Sequence, residues 1–145
     1  MRKRLFFWIT VLLVLSLTAC GKESEITTEQ VDLLYTEFVH VDLTELRREY
    51  HANEARTREK YTNAYVRVLV TVTSVKDRTH FSVRQQDASY TKVYATCTLK
   101  NSYYEDTVLE MNAGDIVILR GRITEFANAR MTLNMDIYQI DVLSE

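Results

Sequence analysis

The side chains that most often carry chemistry are sparse in this sequence and do not gather. The three histidines, His40, His51 and His80, are scattered, and no His-x-x-x-His or Cys-x-x-Cys spacing offers a zinc site. His51 and Glu54 stand three residues apart and could share a helix face, a spacing that suits a solvated surface pair better than an acid–base couple. There is no glycine-rich phosphate loop and no Gly-x-Ser-x-Gly elbow, and the serine and cysteine nucleophiles have no evident base partner. The sequence therefore argues for a protein without catalytic activity, metal or cofactor. What remains is a set of residues suited to binding: Arg67, Arg84, Tyr94, Arg120, Arg122 and Tyr138, all within segments of strand-like alternation. Aromatic and guanidinium groups on a strand face are favoured at protein interfaces, and they also serve stacking and phosphate contact with single-stranded nucleic acid.

One further thiol stands near the start. Arg2-Lys3-Arg4 is followed by an apolar run from Leu5 to Leu15, broken only by Thr10, and then by mostly small residues up to Cys20. That order is the pattern of a secretory signal, and the run is shorter than the roughly 20 residues a spanning helix needs. Leu17-Thr18-Ala19-Cys20 resembles the lipobox of bacterial lipoproteins. The resemblance implies removal of residues 1–19, a diacylglycerol on the Cys20 thiol, and Cys20 as the new N-terminus. Two or three acyl chains there would hold the chain on a membrane, where one alone is marginal. The expected location is the bacterial cell envelope, and Gly21 in place of Asp implies the periplasmic side of the outer membrane where the host has two membranes. With Cys20 lipidated, Cys97 has no partner for a disulfide and is expected as a small buried apolar residue.

Composition bounds the rest. Of 145 residues, 46 % are hydrophobic and 26 % charged, which suits a packed core rather than global disorder. Without the leader and its Arg2, Lys3 and Arg4, 15 basic residues face 20 acidic ones, a net charge of −5. Residues 21–60 carry −4 of this and residues 61–145 only −1. Neither part has the basic surplus of a dedicated nucleic-acid binder. There is no proline and there are three glycines, so turns must rely on Asn, Asp and Ser.

Positioning the candidate residues falls to a mainly β domain. Residues 20–41 divide into a polar lipidated tether and an apolar-rich connector, helical or extended, that precede a domain at 42–145. Asp42 and Glu45 form a capping box for a helix predicted to run to about Lys60, with Leu43, Leu46, Tyr50 and Asn53 along one face. From Ala64 the period becomes two: Val66, Val68, Val70 and Val72 point one way, Tyr65, Arg67, Leu69, Thr71 and Thr73 the other. Lys76-Asp77-Arg78 predicts a turn, Phe81–Arg84 a second strand, and Val93–Leu99 a third. Residues 101–112 predict a loop with a short helical turn, Ile116–Thr124 a fourth strand and Met131–Val142 a fifth whose alternation shifts near Tyr138. Five strands with an insert between the third and fourth is the order of an OB-fold barrel, in which a long first strand bends around both sides. Gly121, inside the fourth strand, is expected at a bulge. Tyr90, Tyr94, Tyr103 and Tyr104 are expected to share a patch near one barrel mouth.

Tyr50-His51-Ala52-Asn53-Glu54, Lys60-Tyr61, the valine-rich strand, Val93 with Cys97, and the run from Gly114-Asp115 to Gly121 resemble the tRNA_anti-like family of small bacterial OB-fold domains. The resemblance spans roughly Leu46 to Val142. It departs at Arg56 and Thr57, where small alanines are common in the family, and at Asn63 and Val70, where glycines often flank and end the first strand core. It implies an OB fold and no particular activity, because a shared fold does not transfer function. The resulting expectation is a monomeric, membrane-anchored, non-catalytic binding module that presents a barrel face to an envelope protein or peptide. Oligosaccharide, a small ligand or single-stranded nucleic acid on the same face are the alternatives. Near-neutral charge and the export signal disfavour the nucleic acid.

Overall fold

In the computed structural model the described residues are 36–127 and 131–143, with Leu33. The leader, Cys20 and the tether lie outside them. The compact unit begins at Thr36. Its elements are β1 (Val39–His40), α1 (Leu43–Ala52), α2 (Glu54–Tyr61), β2 (Tyr65–Val75), β3 (His80–Gln86), β4 (Lys92–Leu99), a 3-10 turn (Ser102–Tyr104), α3 (Glu105–Glu110), β5 (Ile116–Phe126) and β6 (Leu133–Leu143). Strands β2, β3, β4, β6 and β5 pair in that order, and β5 returns to β2, closing a five-stranded OB-type barrel. The β4–β6 pair is parallel and the other four are antiparallel.

β2 makes the closure possible. Its first part, Tyr65 to Thr71, pairs with β5, and from Thr71 onward it pairs with β3. Thr71 belongs to both ladders, and a register shift between Val72 and Ser74 adds the bend that a single strand needs to serve two neighbours. The four alternating valines of β2 are buried inside the barrel, together with Phe81, Val83, Cys97, Val117, Leu119, Ile123, Leu133, Met135 and Ile137. Each such side chain contributes about 1.5–3 kcal/mol on leaving water. Burial pushes the Cys97 thiol well above its usual range, so it stays protonated as the packing residue expected from the sequence.

Two helical elements add to the barrel core. α3, which follows β4 in the chain, buries Val108, and Met111 just after it is buried too, while α1, held to the β3–β4 connection through Lys92 and Asp87, buries Leu43, Leu46 and Tyr50. The α1 N-terminus is held by Asp42, whose Oδ1 accepts from the Thr44 and Glu45 amides at 2.8 and 3.1 Å. Glu45 completes the box only in sequence, because its carboxylate turns to Arg48 at 3.0 Å. The long helix predicted up to Lys60 is in fact two. Asn53 adopts extended backbone, ends α1 through its amide on Glu49, and starts α2 by accepting the Arg56 amide at 3.0 Å. A short amide side chain that can replace a helical backbone partner favours a break of this kind.

Three further details differ from the sequence reading or extend it. The connector's end is extended: β1 runs parallel to β2, and the Val41 amide donates to the Arg67 carbonyl. β6 starts at Leu133, because Met131 takes positive φ and cannot continue a strand, although its side chain is buried as expected. Asn63, standing where the family often has glycine, takes φ of +65°, the left-handed conformation that Asn tolerates better than other non-glycine residues.

The short turns carry their own pH dependence. Backbone donation from Thr79, with His80 beside it, holds the Asp77 carboxyl well below the usual carboxylate range. The Ser89 hydroxyl and the Thr91 amide do the same for Asp87. At Asp42 burial opposes the change, and the Thr44 and Glu45 donors outweigh it. Carboxyls depressed in the folded state stabilise it above their unfolded values of about 4, and this contribution is lost as pH falls through the lower folded values. The thermal midpoint should therefore drop between pH 5 and pH 2, roughly, in these terms. Asp77→Asn should flatten that slope, and an unchanged slope would remove Asp77 from the account.

Candidate binding surfaces

The candidate residues lie on the outward positions of the strands, so the candidate surfaces are on the outer wall. A cleft of about 210 Å³ does open between α1 and α2, beside Asn53. It falls short of the roughly 300–1,000 Å³ of ligand pockets, and the Lys60–Glu49 ion pair crosses it. Among the described residues no three His, Cys, Asp or Glu side chains come together as a metal site.

The six residues singled out in the sequence divide into two groups. Arg84 and Tyr94 are direct cross-strand partners on β3 and β4, and Thr71 of β2 lies on the other side of Arg84. Arg67, Arg120, Arg122 and Tyr138 lie on β2, β5 and β6. Thr71 and Arg67 are four residues apart along β2, about 13 Å. Alternation in sequence places all of these outside the barrel, but β2 changes partner between them and sends the groups to separate walls.

The first wall is the β3–β4 hairpin. Tyr94 is 45 % exposed, and Tyr90 at the loop tip is 80 % exposed. The loop that carries Tyr90 is tightly built: Asp87 Oδ1 accepts from the Ser89 and Thr91 amides, each at 2.9 Å, and Tyr90 itself takes φ of +62°. Asp87 also pairs with Arg48 of α1, and Arg47 donates to the Lys92 carbonyl at 2.7 Å, so the helix fixes the hairpin from behind. Arg84 and Lys92 have no acidic partner among the described residues, and Ser82, Thr96 and Thr71 fill the wall between them with hydroxyls. Tyr103 and Tyr104 do not join this patch, because they follow the far end of β4. From Tyr94 to the end of β4 at Leu99 is five residues, about 17 Å.

On the second wall much of the charge is already answered. Arg120 pairs with Asp141, and Asp136 takes both Arg122 at 3.0 Å and Lys100 at 3.4 Å. Tyr138 is buried outside the barrel core, its ring 6.0 Å from that of Tyr65, which in turn meets Phe38 edge-on at 5.9 Å. The shift of alternation near Tyr138 is a bulge: Gly121 opposes Ile137 and Arg120 opposes Gln139, leaving Tyr138 as the extra residue. The bulge expected at Gly121 is thus carried by β6, and Gly121 is the site of close approach.

A closed five-stranded barrel of this topology, offering outward strand faces, is an OB-fold binding domain. The tRNA_anti-like family matches residues 1–137, and the chain belongs to that family. No curated protein matches the sequence. Among solved structures, a candidate nucleic acid-binding lipoprotein from Klebsiella pneumoniae is similar with a TM-score of 0.51 and 11 % identity, covering 81 % of this chain and 98 % of that one. A candidate aspartyl-tRNA synthetase from Leishmania major has a TM-score of 0.51 and 15 % identity, over 77 % of this chain and 22 % of that one. The chain thus spans about a fifth of the synthetase, and both likenesses concern the fold.

Proposed function

We propose that the chain is a lipid-anchored, non-catalytic envelope protein that binds a protein or peptide partner on the outer wall of the β3–β4 hairpin. The observation that carries this reading is the exposed Tyr94 set beside Arg84, with the exposed Tyr90 at the tip of the same hairpin, which α1 braces. Rigid aromatic side chains next to an arginine are the common anchors of protein interfaces. The corresponding strands are those through which OB folds take up ligands. The lipobox at Cys20 supports the anchor, and the Klebsiella neighbour's description as a lipoprotein agrees with it.

Photo-crosslinking in living cells tests the reading, with the probe at Thr96 on the same wall. One envelope protein captured in good yield is the expected result. Tyr90→Ala with Tyr94→Ala should lower capture by about tenfold or more, in keeping with loss of interface anchors. An adduct that disappears on nuclease treatment and weakens steeply with salt would replace the protein partner by single-stranded nucleic acid. Capture that the tyrosine pair does not affect would remove this wall from the interface.

A further inference from the structure

The second wall holds a row of polar side chains across four adjacent strands: His40 on β1, Arg67 on β2, Arg120 on β5 and Gln139 on β6, each in register with the next. Cross-strand partners of this kind hold their Cβ atoms about 5 Å apart. Arg67 and Arg120 are therefore like charges set directly opposite each other, an arrangement that costs stability unless an anion lies between them. Asp141 answers Arg120. The Arg67 side chain has no ion pair or hydrogen bond among the described residues, and its Nε is buried without a partner. A buried N–H of a charged group is a strong position for an acceptor.

We propose that Arg67 and Arg120, flanked by His40 and Gln139, form a recognition site for a phosphate group. Asp141 meets Arg120 through Nη1 alone, which leaves the other donors of that guanidinium open beside Arg67. A phosphate monoester presents three oxygens and close to two charges, enough to span two forks. The next outward positions on the same strands are Leu69 and Ile118, which are in register with each other, and Leu69 is 44 % exposed. The phosphate therefore meets the wall beside an apolar strip, as a lipid headgroup would, and free phosphate is the other source of the same chemistry. This wall is separate from the Tyr90–Tyr94 hairpin, so the site stands or falls independently of the protein-partner reading.

The test follows the arginine Nε–H signals by NMR, using the full chain in neutral detergent micelles. One arm titrates inorganic phosphate at constant ionic strength, with sodium chloride as the control. The other adds long-chain phosphatidic acid to the micelles. A saturable shift of the Arg67 Nε–H, assigned by its loss in Arg67→Gln, is expected in at least one arm. Arg120→Gln should weaken the affinity read at Arg67 by about tenfold, the effect of losing one charge-assisted contact. Saturation by inorganic phosphate alone assigns a soluble ligand, and tighter binding to phosphatidic acid assigns a headgroup. No saturable shift in either arm overturns the site, and so does an equal response to chloride or an Arg120→Gln chain with unchanged affinity.

Discussion

Gly121→Ala should be among the most damaging single substitutions in the domain, at about 3 kcal/mol or more. The reason is space. A Cβ at Gly121 would press into the Asp136 carbonyl oxygen far inside van der Waals contact and would lie 2.8 Å from Ile137 Cδ1. The first is backbone of β6, fixed by its pairing with β5 on one side and β4 on the other, so it cannot yield without disturbing the bulge that seats Tyr138. For a domain of this size the loss corresponds to a fall in thermal midpoint on the order of 10–20 °C. Gly114→Ala supplies the contrast. No atom lies within 4 Å of a Cβ there, but φ of +104° strains any other residue, at about 1–3 kcal/mol. If the Gly121 variant melts no lower than the Gly114 variant, close approach is the wrong account of the fourth strand's glycine.

Much of the barrel was legible because its physics is local. Inside and outside follow from period-two alternation, and the valines of β2, the Val93–Leu99 series and the Leu133–Ile137 series all turned inward as their spacing required. Asn63 could hold the left-handed position through its own side-chain chemistry, so the missing glycine did not cost the fold. Other features were not local. β1 is only two residues long and is extended because β2 offers it a free edge, which no periodicity reveals. The break at Asn53 did have a signal, since Asn followed by Glu is a helix start, but the apolar spacing on either side masked it. The candidate site was hardest. Alternation says that Arg67, Arg84, Arg120 and Arg122 face outward, but not which carboxylate stands opposite. Register decides that, and it neutralises Arg120 and Arg122 with Asp141 and Asp136 while leaving Arg84 and Arg67 without acids on two separate walls. Charge counting gave near-neutrality for the domain; register shows which cations stand opposite acids and which, like Arg84 and Arg67, do not.

The largest effect expected from a side-chain truncation is Tyr50→Ala, about 3–5 kcal/mol. Tyr50 is the point at which both helices lock onto the barrel. Its ring is buried and stacks on Phe126 of β5 at 5.5 Å with 7° between the planes. Arg58 of α2 lies over both rings, 5.4 Å from one centroid and 5.6 Å from the other. The same guanidinium donates to the Tyr50 hydroxyl at 2.9 Å and to the Phe126 carbonyl at 3.1 Å, while its Nε is held by Glu54 at 2.9 Å. Burial pushes the Tyr50 phenol above its ordinary value, so at neutral pH it remains the neutral acceptor this geometry needs. Truncation removes the stacked ring, opens a cavity beside Phe126 and strips Arg58 of its hydroxyl acceptor. Tyr50→Phe keeps the ring and loses only the hydrogen bond, about 1–2 kcal/mol with the charged donor partly free to find water. Denaturant unfolding of the two variants separates the terms. A Tyr50→Ala loss no greater than that of Tyr50→Phe would mean that the helices are held by Leu43 and Leu46 alone. A loss near the full range, with α2 amides exchanging faster than those at the α1 N-terminus, would place the junction at the stack. The hairpin wall depends on this result, because Arg47 and Arg48, which brace Lys92 and Asp87, lie on the helix that Tyr50 secures.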